Sequence, residues 1–203
     1  MTKQYGFVVD VSRCTGCRTC AVACKDAHNL PVGLNLRRVL EEASGSWRQD
    51  RMTGAWHQDV RAWYVSIACN HCENPACVKV CPTKAHYKRA EDGLVVIDRD
   101  KCIGCGMCAQ ACPYGAPSYD EASSTTFKCD GCYDRRQRGE LPACVAACPG
   151  ANLALDDMES LQGAHAADIV SDESSGTKPN FVITVDAALA EEPDDIVVEN
   201  HTA

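Results

Sequence analysis

The stretch Cys102-Ile-Gly-Cys105-Gly-Met-Cys108-Ala-Gln-Ala-Cys112-Pro113 carries four cysteines spaced C-x2-C-x2-C-x3-C-P. Upstream, Cys14, Cys17, Cys20 and Cys24 repeat that spacing, with Lys25 in place of the proline. Cys69, Cys72, Cys77 and Cys81 stretch the middle interval, C-x2-C-x4-C-x3-C-P, ending at Pro82. Cys129, Cys132, Cys144 and Cys148 stretch it further, C-x2-C-x11-C-x3-C-P, ending at Pro149. These four groups use all sixteen cysteines of the chain. Gly16, Gly104 and Gly131 lie between the first two cysteines of three groups, where a residue without Cβ allows a positive-φ turn. Such a turn aims backbone N–H groups at an anion.

Three thiolates on one tight loop suit three corners of an iron–sulfur cubane, and a fourth on the following helix points away to the other cluster of a pair. The run at residues 102–113 is the bacterial ferredoxin pattern. Sixteen cysteines then make four complete [4Fe–4S] clusters. Structural zinc favours two separate C-x2-4-C hairpins per ion, which fits cysteines at i, i+3 and i+6 less well. Haem attachment requires C-x2-C-H, and no cysteine pair here is followed by histidine. His71-Cys72-Glu73 with Pro75 and Cys77 misses the zinc deaminase spacing, because Ala76 separates the proline from the cysteine.

A disulfide scaffold would need a secretory signal, and Met1–Asp10 has no basic region followed by an apolar one. No twin-arginine signal opens the chain, so it is expected to fold in the cytoplasm with reduced thiols. No apolar run is long enough to span a membrane. A net charge of −8 without a basic tail excludes nucleic acid as a partner. Aromatic residues are only 6% of the 203, a thin supply for a packed core that metal cofactors would supplement. Ionising the thiols onto four cores takes the formal charge to about −16. Lys101, Lys128, Arg135, Arg136 and Arg138, beside the cysteine loops, are candidate counter-charges.

Gly6–Cys14 and Gly93–Cys102 each read as a short strand leading into a cysteine loop, an internal repeat. Pro75 and Pro142 open short helices over Ala76–Val80 and Ala143–Ala147. Ala62–Ala68 and Phe181–Val185 read as strands, and Leu34–Asp59 as an insertion containing a hairpin or a partner-contacting loop. Asp156–Ala167 has helical spacing with Asp156, Asp157 and Glu159 in its first turn. Asp168–Asn180 reads as a polar linker, and the segment beyond Asp186, without Lys or Arg, as an acidic disordered tail. The three tryptophans Trp47, Trp56 and Trp63 read as packing residues, and His28, His57, His86, His165 and His201 are surplus to ligation.

Beyond spacing, Ser12-Arg-Cys-Thr-Gly-Cys17, Cys69-Asn-His-Cys72, Pro75-Ala-Cys77, Cys112-Pro-Tyr-Gly-Ala-Pro117 and Lys128-Cys-Asp-Gly-Cys-Tyr-Asp-Arg135 resemble the iron–sulfur subunit of dimethyl sulfoxide reductase-type molybdopterin oxidoreductases. So do Trp56-His-Gln58 and Thr177-Lys-Pro-Asn180. The resemblance implies an α+β fold of two interlocked bacterial 2[4Fe–4S] ferredoxin-like modules with short strands and helices and loop-rich insertions. The expected bounds are 1–60 plus 126–185 for one module, 61–125 for the other and 186–203 for the tail. It also implies the ligand sets: Cys14, Cys17 and Cys20 with Cys148; Cys129, Cys132 and Cys144 with Cys24; Cys69, Cys72 and Cys77 with Cys112; Cys102, Cys105 and Cys108 with Cys81. The family role is non-catalytic electron transfer between a quinol-oxidising membrane anchor and a molybdopterin catalytic subunit, with peripheral membrane association through those partners. Similar four-cluster subunits serve nitrite and polysulfide reductases, formate dehydrogenases and hydrogenases. A zinc-stabilised binding module is the alternative from another class.

Overall fold

Strand β1 (Tyr5–Asp10) is the centre of the sheet beside the first cysteine loop, alternating buried Phe7 and Val9 with half-buried Val8 and Asp10. It pairs antiparallel with β10 (Leu153–Asp157) and parallel with β11 (Phe181–Thr184), so segments near both ends of the chain meet on one strand. The computed structural model describes residues 3–161 and 176–184, and the backbone of 197–199.

After β1 come α1 (Thr19–Ala27), then β2 (Arg38–Ser44) and β5 (Arg61–Ile67), which pair antiparallel. The insertion between these two strands forms the small hairpin of β3 (Trp47–Gln49) and β4 (Trp56–Gln58). Helix α2 (Ala76–Lys79) leads to the hairpin of β6 (His86–Lys88) and β7 (Val95–Ile97), then to α3 (Met107–Ala111). A third hairpin, β8 (Ser118–Asp120) with β9 (Thr125–Phe127), precedes α4 (Tyr133–Gln137) and α5 (Ala143–Ala146). The backbone of β12 (Val197–Glu199) pairs antiparallel with β2, so these three residues of the expected disordered tail form a strand on an open sheet edge, and the rest of 186–203 lies outside the described residues. Short strands and short helices of this kind make a mixed α+β architecture. Helix α1 packs on α5, and α2 on α3.

The main core joins Phe7, Val9, Val11, Trp63, Val65, Phe181 and Ile183 to the buried cysteines Cys20, Cys69, Cys129 and Cys144. Trp63 packs as expected, but Trp47 and Trp56 are each 62% exposed. Trp47 and Trp56 share one face of the β3–β4 hairpin, whose two three-residue strands pair only with each other among the described residues and leave both rings exposed.

The helical reading of Asp156–Ala167 is overturned where it is described. Leu153–Asp157 is strand β10, drawn into pairing by the open edge of β1, and Met158–Leu161 is a turn; residues 162–167 lie outside the described residues. The expected polar linker also falls partly outside them, but Thr177 and Asn180 are buried. Their segment runs against the second cysteine loop: the Glu73 and Asn74 amides donate to the Lys178 and Thr177 carbonyls, and the Asn180 amide to the Asn70 carbonyl. Strand β11 agrees with the expected Phe181–Val185 up to Thr184, where the described segment ends.

Candidate metal centres

Each cysteine loop is set by its neighbours. β1 and β7 deliver the chain into the first and third loops, and prolines 75 and 142 act as N-caps of α2 and α5, where a missing N–H costs nothing. Gly104 sits at φ +66°, and a Cβ there would run into the Ser124 carbonyl oxygen. In each group the third cysteine lies in a helix and the fourth four residues on: Cys24 one turn along α1 from Cys20, and Cys81, Cys112 and Cys148 just past the C-terminal ends of α2, α3 and α5. One helix can therefore serve two neighbouring sites.

The cysteines gather into four sets. Site I is a cavity of about 340 Å³ lined by Cys14, Cys17, Cys20 and Cys148, with Ser66 and Asn152 in its wall. Site II is lined by Cys69, Cys72, Cys77 and Cys112, with Tyr114 and Thr177. Site III is lined by Cys81, Cys102, Cys105 and Cys108, with His86 and Thr126. Site IV comprises Cys24, Cys129, Cys132 and Cys144, which interact electrostatically with one another. All sixteen thiols are free; nine are buried, and only Cys17 and Cys105 are exposed.

Burial first, and repulsion from Cys144 second, push the Cys24 thiol up to about 12. Burial and Cys69 do the same to Cys77, also to about 12. Cys72 and Cys132 rise to about 11, mainly through burial, and fully buried Cys129 is pushed well up. Only the more open thiols move the other way. The Thr19 hydroxyl and amide hold exposed Cys17 below its usual range, and at Cys81 the bonds from the His86 amide and the Thr83 hydroxyl outweigh burial. Backbone N–H groups already point at sulfur, from His71 to Cys69 at 3.5 Å and from Gly131 to Cys129 at 3.4 Å. This donor set fits an iron–sulfur core. Mutually repelling buried thiols ionise readily only around a metal, and among the described residues the only close cluster that mixes a carboxylate or imidazole with a thiol is at site IV, although His86 stands in the wall of site III. At site IV, His28 Nε2 lies 3.5 Å from Cys132 Sγ and 3.8 Å from Asp130. That contact makes His28 a flank of the same site.

Of the candidate counter-charges, Lys128 alone is buried; it donates to the Cys129 carbonyl at 2.8 Å and to the Val95 carbonyl. Lys101 pairs with Asp98, Arg135 and Arg138 with Glu140, and Arg136 with Asp92, so these four serve surface or loop structure. Lys25 ties down a loop through the Pro31 and Leu34 carbonyls. Sequence reasoning missed two buried residues, Arg37 and His71. Arg37 carries no motif signal. His71 did carry one, since it occupies the place that glycine takes in the other three groups.

Thiol ligands on ferredoxin-type loops, with no constellation of base and nucleophile beside them among the described residues, define an iron–sulfur protein of the 4Fe–4S class. The family profiles agree: a 4Fe-4S dicluster domain matches residues 60–158, and a 4Fe-4S binding domain residues 11–27. The sequence is 52% identical to the B subunit of anaerobic dimethyl sulfoxide reductase from Escherichia coli K12, covering 92% of this protein and 91% of that one. It is 46% identical to the corresponding Haemophilus influenzae subunit, over 89% of each. It is also 35% identical to the B subunit of polysulfide reductase from Wolinella succinogenes, over 90% of this protein and 95% of that one. The protein belongs to the iron–sulfur B subunits of dimethyl sulfoxide reductase-type enzymes, which transfer electrons and are not catalytic alone. No helix among the described residues is long and apolar enough to cross a membrane.

Proposed function

We propose that sites I to IV each hold one [4Fe–4S] cluster on the four cysteines named for them, making the chain a four-cluster electron relay. The observation that carries this reading is the gathering of cysteines from distant parts of the chain into four sets of four, three of them lining cavities. The chain is then two interlocked ferredoxin-like modules, 1–60 with 126–185 and 61–125. Packing of α1 on α5 and of α2 on α3 supports that division, while the β2–β5 sheet ties the modules across residue 60.

A bound cluster supplies one-electron storage with little change of shape. The chain's residues bind it, exclude water from it and set its potential through N–H···S bonds and nearby charge. Exposed Cys17 at site I and exposed Cys105 at site III mark where electrons pass to and from partners. Those partners are a molybdopterin catalytic subunit and a quinol-oxidising membrane anchor, through which the chain associates peripherally with the membrane. Higher identity to the dimethyl sulfoxide reductase subunit than to the polysulfide reductase subunit favours a sulfoxide-reducing complex.

Anaerobic purification of the complex from native membranes tests the reading. A brown preparation with about sixteen iron atoms on this subunit and both partners present is expected. A colourless subunit, or one with about eight irons, would overturn the cluster count.

A further inference from the structure

Arg37 is 1% exposed and no carboxylate pairs with it among the described residues. Its Nη1 donates to the Ser66 carbonyl at 3.1 Å and to Ser66 Oγ at 3.0 Å, and its guanidinium lies 4.3 Å from the centre of the Phe7 ring. Nε and Nη2 have no partner among the described residues. A buried cation without a counter-ion costs several kcal/mol, so negative charge has to reach it from elsewhere. Among the described residues, the cysteine sites supply that charge.

Ser66 Oγ lies 3.2 Å from Cys20 Sγ. Because Nη1 already donates to this oxygen, the Ser66 proton is left to point at the sulfur, and the cation polarises that O–H. Arg37 thus reaches site I through one hydroxyl. Burial disfavours its charge, yet Cys144, Cys129 and Cys24 of site IV and Cys20 of site I, as thiolates, more than offset this. Phe7, beneath the guanidinium, packs in one buried cluster with Cys20 of site I and Cys129 and Cys144 of site IV, and Cys20 and Cys24 are one helical turn apart on α1.

On the four-cluster reading, we propose that Arg37 is a positioning residue that sets the reduction potentials of the clusters at sites I and IV. It acts through fixed charge on both sites and through the Ser66 hydroxyl on site I. Reduction adds one electron to a cluster and breaks no bond in the chain. A positive charge held nearby in a dry core lowers the cost of that electron, and a hydrogen bond to ligand sulfur does the same.

The test is a redox titration of the purified complex followed by electron paramagnetic resonance, with iron analysis of each variant. Arg37→Gln, which keeps donors and loses the charge, shifts the reduction equilibrium of two clusters at least tenfold toward the oxidised form, about 59 mV for a one-electron couple. The other two clusters stay in place, and Arg37→Lys recovers most of the shift. Ser66→Ala, which keeps the charge and removes the relay, moves one cluster alone. Four intact clusters with unmoved potentials in Arg37→Gln would overturn the proposal. If that variant fails to assemble, an unmoved set in Ser66→Ala overturns it instead. A wild-type complex with fewer than four clusters refutes the underlying cluster reading, a result separate from either variant.

Discussion

Three of the four cysteine groups place glycine before the second cysteine, at φ +68°, +66° and +69°, whereas the group at 69–81 places His71 there at φ +42°. A side chain in this region costs about 1–2 kcal/mol, and it persists where surrounding bonds over-determine it. His71 Nδ1 accepts from the Val95 amide at 3.0 Å, and its carbonyl accepts from Asn180 Nδ2 at 2.7 Å. Burial, with Lys128 nearby, holds its pKa well below the usual value, so the ring is neutral and carries its proton on Nε2. His71→Ala keeps the strain and leaves the Val95 amide unpaired in the core, a loss of about 2–4 kcal/mol, checked by the thermal midpoint of the complex. Gly104→Ala meets both the positive φ and the Ser124 carbonyl. It is expected to cost at least about 1–2 kcal/mol and to deplete iron at site III first, which iron analysis and spectroscopy of that site would register.

The cysteine-bearing helices are short: nine residues in α1, four in α2, five in α3 and four in α5. Isolated helices under about 12–15 residues are marginal in water, so these depend on packing in pairs, and on the four-cluster reading also on the metal they ligate. Pairing α1 with α5 brings Cys148 to Cys14, and pairing α2 with α3 brings Cys112 to Cys69. Cys14→Ser and Cys148→Ser are therefore expected to alter the same paramagnetic component, and Cys144→Ser a different one. Different components for the first two would break the ligand assignment. Cys102→Ser is expected to lose about one iron and to yield a [3Fe–4S] signal from site III. At this scale the sequence was readable where elements were local. Prolines 75 and 142 marked α2 and α5 correctly. The acidic first turn at Asp156 pointed to a helix, but a free edge on β1 offered strand hydrogen bonds that local propensity could not outweigh.

Across the whole molecule, cysteines share the main core with few aromatic residues. Metal binding and folding are then coupled, because the walls of each site are also core. With Cys24 and Cys77 pushed up to about 12, these thiols are protonated near neutral pH without metal. Loading iron must release their protons, so reconstitution strengthens as pH rises and weakens as it falls. Proton release in weakly buffered solution measures this directly, and a pH-independent uptake would contradict it. Removing iron with a chelator is expected to loosen the whole fold, with near-ultraviolet circular dichroism lost and proteolysis accelerated. Survival of a native-like spectrum would mean that the side chains alone suffice.

Read as a string, the chain determined the kind of metal chemistry its cysteines suit and the local shape of the first and third loops, because three cysteines within seven residues can converge only on something small. It also determined that β-rich runs feed the first and third loops. Tertiary structure decided what lies between the loops. Cys148 reaches Cys14, and Asn180 reaches His71, only because β10 and β11 close on β1. Arg37 is a surface-type residue without a motif signal in the insertion at Leu34–Asp59 until β2 pairs with β5 and leaves it beside Ser66. Contacts between residues this far apart leave no local pattern, since their energy comes from burial and charge shared among distant segments.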